Sequence, residues 1–140
     1  MWTFALCGFT GMWAFHVQMK TTKVRGETFG RNYSVIDEKY GETHRKEMGD
    51  DMKINKHGYP DLGNNLYSDL LPYGDWIKIN NAQRCHENYV NQLPIYYSLV
   101  FISALSFSRA TFAFSALYMV LRIFYTNSYF SRRGHNRATG

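Results

Sequence analysis

The sequence predicts an all-α membrane protein: a transmembrane helix bundle with three helices present and a long cytosolic-side loop. Apolar residues concentrate in 2–19, 95–107 and 110–130, each bounded by charge or a turn. Residues 20–80 are polar and charged, so the mean hydropathy of −0.39 averages two unlike kinds of sequence. Lys and Arg fall almost entirely on one side of the resulting topology, as the positive-inside rule requires.

Helix 1 covers about residues 2–19 and at ~1.5 Å per residue is just long enough to cross a bilayer. No basic stretch precedes this run and no small-residue cleavage site follows it. Lys20, Lys23 and Arg25 follow instead, a stop-transfer pattern rather than a secretory signal. Residues 20–80 form a polar loop, with a short surface helix around Glu42 to Met48. Tyr59-Pro60-Asp61-Leu62-Gly63-Asn64-Asn65 is turn chemistry, because Pro presets φ while Gly and Asn tolerate positive values. Asp75 is placed to cap the next helix, with Trp76 at the membrane interface. Helix 2, about 81–107, contains Pro94, which should kink it or open one backbone bond. Ser106 to Arg109 makes a tight connection to helix 3, about 110–130, whose one charge is Arg122. A basic tail, 131–140, completes a single membrane domain, 1–140.

A net charge of +5 and a pI of about 9.2 admit nucleic acid or an anionic membrane surface as partner. The placement of the charges favours the membrane, and nucleic acid is not expected. With three spans, the 20–80 loop and the 131–140 tail share one side, including Lys20, Lys23, Arg25, Arg132, Arg133 and Arg137, and only Arg109 lies opposite. That side is the cytosol or an equivalent compartment. Asn32-Tyr33-Ser34 then lies on the wrong side for glycosylation. Cys7 and Cys85 make no disulfide framework. The Cys85-His86 pair lacks the further ligands that a metal site needs, and no phosphate-binding or dinucleotide loop occurs.

Chemistry is carried by two stripes. Arg84, Asn88, Asn91 and Ile95 share one face of helix 2, and Tyr118, Arg122, Tyr125 and Tyr129 share one face of helix 3. Both lie at the cytosolic end, so two arginines, two amides and several tyrosines are expected at one level of the membrane. Glu87 is the nearby carboxylate and points ~100° away around the helix. Interfacial tyrosines also serve as an aromatic belt, and an arginine near a helix end can snorkel to the headgroups. The joint pattern instead points to an anionic ligand, since guanidinium takes carboxylates bidentately.

Asn81-Ala82-Gln83-Arg84-Cys85-His86-Glu87-Asn88-Tyr89-Val90-Asn91-Gln92-Leu93-Pro94 resembles the signature of the MAPEG family, the membrane-associated proteins of eicosanoid and glutathione metabolism. Arg122-Ile123-Phe124-Tyr125-Thr126-Asn127-Ser128-Tyr129 resembles that family's third-helix motif, Arg137-Ala138-Thr139-Gly140 the segment before its fourth helix, and Val24-Arg25 the basic turn after its first. The microsomal glutathione transferase 3-like branch is the most similar. The resemblance covers 76–140 well and 1–25 loosely.

The resemblance implies a four-helix subunit, of which three helices are present here, assembling as a homotrimer or within a larger membrane complex. It implies an endoplasmic reticulum or mitochondrial membrane, with glutathione as co-substrate and no metal. Arg84, His86, Asn88, Asn91, Arg122, Tyr125 and Tyr129 occupy its glutathione-binding positions, and Arg137 and Arg25 its catalytic positions near the thiol. A cation there would favour the thiolate, which attacks a lipophilic electrophile or reduces a lipid hydroperoxide. The chain departs from the family pattern at Asn91, where a Glu is usual, and at Cys85, where Ala is usual. Its 26–74 loop is long, and it stops at Gly140, where the fourth helix is expected to begin. Three functions follow: a glutathione-dependent transferase or peroxidase, a non-catalytic accessory subunit of a membrane complex, or a basic lipid-surface protein.

Overall fold

The computed structural model describes residues 2–131. Among them the chain forms α1 (Trp2–Arg31), α2 (Tyr33–Met48), a 3-10 turn (Ser68–Leu70), α3 (Tyr73–Ser106) and α4 (Ser108–Phe130), with no strand. The all-α class is as expected, but the count of three helices is corrected to four. Helix 1 continues past its apolar run to Arg31, and α2 begins directly after Asn32. The short surface helix is therefore much longer than expected, and α3 starts at Tyr73 rather than near 81. The basic tail and Arg137 lie outside the described residues.

The chain divides into two compact units. The first comprises residues up to Met19 and those from Arg84 onward. Its apolar core is small: Val17, Cys85 and Tyr89, with Trp13, Ala14, Tyr125, Tyr129 and Phe130 packed against them. Much else that is buried there is polar, namely Thr3, Thr10, Thr111, Ser115, Arg122 and Thr126. Phe15, Leu99, Ile102, Leu105, Phe114 and Phe124 are exposed. Val100 and Met119 are buried there too, and small hydroxyl residues at helix contacts are typical of packing in lipid. The same distribution corrects the expectation of three apolar spans. Among the described residues no helix is long and apolar enough to cross a membrane. Inward polar residues alternate with outward apolar ones and dilute every stretch. Pro94 stays inside a helix that continues to Ser106.

The second unit is Lys20–Gln83. The stretch expected as a loop is here an ordered structure with its own core: Phe29, Ile36, Ile54, Leu71 and Ile79, flanked by Tyr33, Tyr40, Tyr67 and Leu70. Phe29, Tyr33, Ile36 and Tyr40 recur at helical spacing across the α1–α2 join, which turns one face inward. The turn chemistry is realised around Asp61. Its carboxylate accepts from the backbone N–H of Gly63 at 2.6 Å, Asn65 at 3.2 Å and Ser68 at 2.8 Å, and from Ser68 Oγ at 2.7 Å. Burial alone would raise the Asp61 pKa, but these donors outweigh it and hold the carboxyl below its ordinary value. Gly58, at φ +72°, lies against the Phe29 ring, where any Cβ would collide. Asp75 sits in the first turn of α3 and accepts from Arg31 at 3.1 Å and Asn32 at 3.0 Å, bonding the end of α1 as well as favouring the helix dipole.

Candidate anion-binding site

Both stripes are helical, and within the first unit they meet. The Asn88 amide donates to the Tyr125 hydroxyl, joining α3 to α4. The Tyr125 and Tyr129 rings are 4.7 Å apart between centroids. Arg122 is buried behind them. Its Nε donates to the Tyr118 hydroxyl at 2.9 Å, and its Nη2 to the Asn88 carbonyl at 3.3 Å and to Gln92 Oε1. The guanidinium carbon lies 4.3, 5.2 and 5.3 Å from the ring centroids of Tyr89, Tyr118 and Tyr125. No carboxylate pairs with it among the described residues. A buried cation is thus held by π faces and neutral oxygens, each of which recovers part of the desolvation cost.

Behind the arginine the helices are fastened by hydroxyls. Tyr89 Oη donates to the Arg122 carbonyl at 3.1 Å and meets Thr126 Oγ1 at 2.9 Å. Trp13 of α1 adds an Nε1 bond to Thr126 at 3.4 Å.

Arg84 is one helical turn before Asn88, exposed, and without a hydrogen bond or ion pair among the described residues. Asn88, Tyr125 and Tyr129 are half-buried, so their polar groups border the same open corner. Asn91 is exposed, one turn further along. His86 is half-buried and stands ~200° around α3 from both Arg84 and Asn88, off the stripe.

The structure therefore brings Asn88, Arg122, Tyr125 and Tyr129 together, and sets Arg84 beside them on the α3 stripe. Arg25 belongs to the second unit, where it is buried. Its Nε donates to the His57 carbonyl at 2.7 Å and its Nη2 to the Asp61 carbonyl, and Tyr59 covers it with a ring centroid 3.9 Å away. Arg137 lies outside the described residues. Sequence reasoning missed Gln92, Tyr89, Thr126 and Trp13. Gln92 follows Asn88 by four residues, a spacing that shares a face, and could have been found that way.

Fold and site together define, among the described residues, an all-helical protein with an arginine–amide–tyrosine corner that lacks an ion-paired acid. The chain belongs to the MAPEG family, whose model matches residues 3–140. No curated protein and no solved structure matches it. The family is membrane-associated, uses glutathione as co-substrate, and includes glutathione transferases and peroxidases and proteins of eicosanoid synthesis.

Proposed function

We propose that the chain binds glutathione at the α3–α4 corner and acts as a membrane transferase or peroxidase of the microsomal glutathione transferase 3-like branch. The observation that carries this reading is Arg84, exposed and unpaired among the described residues, beside Asn88, Tyr125 and Tyr129. Glutathione brings two carboxylates, peptide groups and a thiol. Arg84 suits one carboxylate, and the Asn88 amide with the two tyrosine hydroxyls suits the peptide. Asn91 is proposed to border the ligand, whereas His86, ~200° around α3, does not reach it from that face. Arg122, already bonded to neutral acceptors, orients Tyr118, Asn88 and Gln92 more than it offers free donors.

The cation at the sulfur is proposed to be Arg137, with Arg25 second because its donors are engaged within its own unit. A nearby positive charge favours the thiolate. In transfer, the thiolate forms a C–S bond as the electrophile's leaving bond breaks and that group departs with the electron pair. In peroxide reduction, the thiolate attacks the terminal oxygen, the O–O bond breaks, and lipid alcohol leaves with a proton. The resulting sulfenic acid condenses with a second glutathione to disulfide and water. The exposed apolar faces of α1, α3 and α4 support a transmembrane placement, with homotrimers or a larger complex covering the remaining sides. The endoplasmic reticulum or mitochondrial membrane, with the Lys20–Gln83 unit facing the cytosol or matrix, completes the proposal.

A non-catalytic accessory role is favoured by Asn91, which offers a neutral amide where the family pattern has a carboxylate for the glutathione ammonium. Titration calorimetry with glutathione on the detergent-purified chain, paired with a conjugation assay, separates the two. Binding with turnover, both lost in Arg84→Ala, supports the enzyme. Binding without turnover, or no binding in the wild-type chain, removes the enzyme and supports the accessory role.

A further inference from the structure

Four hydroxyls of the first unit follow one habit. Thr10, Ser98, Thr111 and Thr126 each donate to the carbonyl four residues earlier, at 2.8–2.9 Å. This is the usual way for a hydroxyl to be satisfied away from water. Ser115 does not follow it: it is 2 % exposed and, among the described residues, its Oγ has no partner. On the facing helix the Tyr96 hydroxyl is likewise buried and unpartnered, although its ring stacks on Tyr118 at 4.2 Å between centroids. The neighbouring Tyr97 hydroxyl, by contrast, reaches the Cys7 carbonyl at 3.2 Å. Buried polar groups without partners are rare and costly.

Both residues line the same cleft between α3 and α4, of about 490 Å³, with their hydroxyls shut off from water. Its other walls include Leu99, Phe107 and Phe114, and no charged side chain borders it among the described residues. The volume lies in the range of small-molecule sites, and the pattern of apolar walls with a few convergent polar groups is that of a ligand pocket. The cleft runs along α3 from Tyr96 to Ser103 and on to Phe107 between the helices, beyond Pro94 from the Arg84–Asn88 turn, and it meets the anion-binding corner only at Tyr118, whose hydroxyl accepts from Arg122.

We propose that this cleft is a binding site for a neutral single-chain amphiphile carrying a hydroxyl, whose chain lies along Leu99, Phe107 and Phe114 and whose hydroxyl exchanges hydrogen bonds with Tyr96 Oη and Ser115 Oγ. With no lining cation or anion among the described residues, a charged head is disfavoured, because an unpaired charge would be left buried. The site does not depend on the glutathione reading.

The test uses the full chain in nanodiscs with a diazirine-bearing long-chain fatty alcohol, its carboxylate counterpart and its hydrocarbon counterpart, followed by peptide mapping. Saturable alcohol labelling confined to residues 96–118 is expected, with the acid and the hydrocarbon at least about tenfold weaker. Ser115→Ala should weaken the alcohol about three- to tenfold without weakening the hydrocarbon. Ala110→Phe, which fills the cleft from its rim, should abolish labelling there, while an unchanged thermal transition shows that the variant is folded. Equal labelling by all probes, labelling spread over lipid-facing residues such as Phe15 and Phe124, or crosslinking of the cleft to a second copy of the chain would overturn the proposal.

Discussion

Tyr89 grips Arg122 at both ends: its hydroxyl donates to the Arg122 carbonyl at 3.1 Å, while its ring centroid lies 4.3 Å from the guanidinium carbon. The backbone of α4 and the charge it carries are thus fixed by one side chain of α3. Removing the hydroxyl and removing the ring should therefore have separable effects. Tyr89→Phe keeps the π face and loses the bonds to Thr126 and Arg122, and should cost about 1 kcal/mol. Tyr89→Leu also loses the face beneath a desolvated cation and should cost roughly 2 kcal/mol more. Thermal unfolding of the detergent-solubilised variants measures both, and equal losses would show that the ring contributes nothing.

Arg122 has no paired carboxylate among the described residues, and Gln92 Oε1 accepts from its Nη2. Gln92→Glu places an anion at that acceptor with little change of shape. A charge-assisted bond is stronger than a neutral one, although exposure at Gln92 screens part of the gain. The variant should be more stable than wild type by about 1 kcal/mol near neutral pH, and the difference should vanish as the new carboxylate protonates. Melting curves across pH check this, and a destabilised Gln92→Glu at neutral pH would mean that Arg122 is already balanced by an anion.

The α3 and α4 stripes were legible because helical periodicity alone sets which residues share a face, and Asn88, Arg122, Tyr125 and Tyr129 obey it. The partners behind them were not, because Tyr89 and Thr126 look like ordinary core residues until the two helices are set against each other. The Lys20–Gln83 unit was misjudged for a different reason. Phe29, Tyr33, Ile36 and Tyr40 supply about one apolar residue per turn within a charged sequence, too sparse to resemble a buried helix. Their burial is completed by Ile54, Leu71 and Ile79, distant along the chain.

Asp61 should make that unit acid-sensitive. A carboxyl held below its unfolded value takes up its proton more readily unfolded than folded, so its contribution is complete above the unfolded value of about 3.9 and is lost as pH falls through the folded one. Asp61→Asn should cost about 2 kcal/mol at neutral pH, since the amide accepts fewer of the converging N–H groups. Below about pH 4 the wild-type and variant melting curves should converge. A gap that stays constant down to pH 3 would assign the effect to packing.

Arg25 distinguishes a cation that activates a thiol from one that builds a turn. Its bonds go to the carbonyls of His57 and Asp61, and main-chain acceptors are supplied by any sequence, so no side-chain pattern announces them. A structural arginine predicts that Arg25→Ala destabilises the Lys20–Gln83 unit by about 3 kcal/mol, leaving buried carbonyls unmatched and the Tyr59 ring uncovered. Arg25→Lys should recover only part of this, because an ammonium cannot place donors in a rigid fork while stacking on a ring. Hydrogen exchange localises the loss to residues 54–71. The decisive readout is the pKa of bound glutathione's thiol, followed by thiolate absorbance. If Arg25 only holds the turn, that pKa stays at the wild-type value in Arg25→Lys even where stability has fallen. If it rises, the guanidinium reaches the sulfur, and the bonds to His57 and Asp61 must yield when glutathione binds.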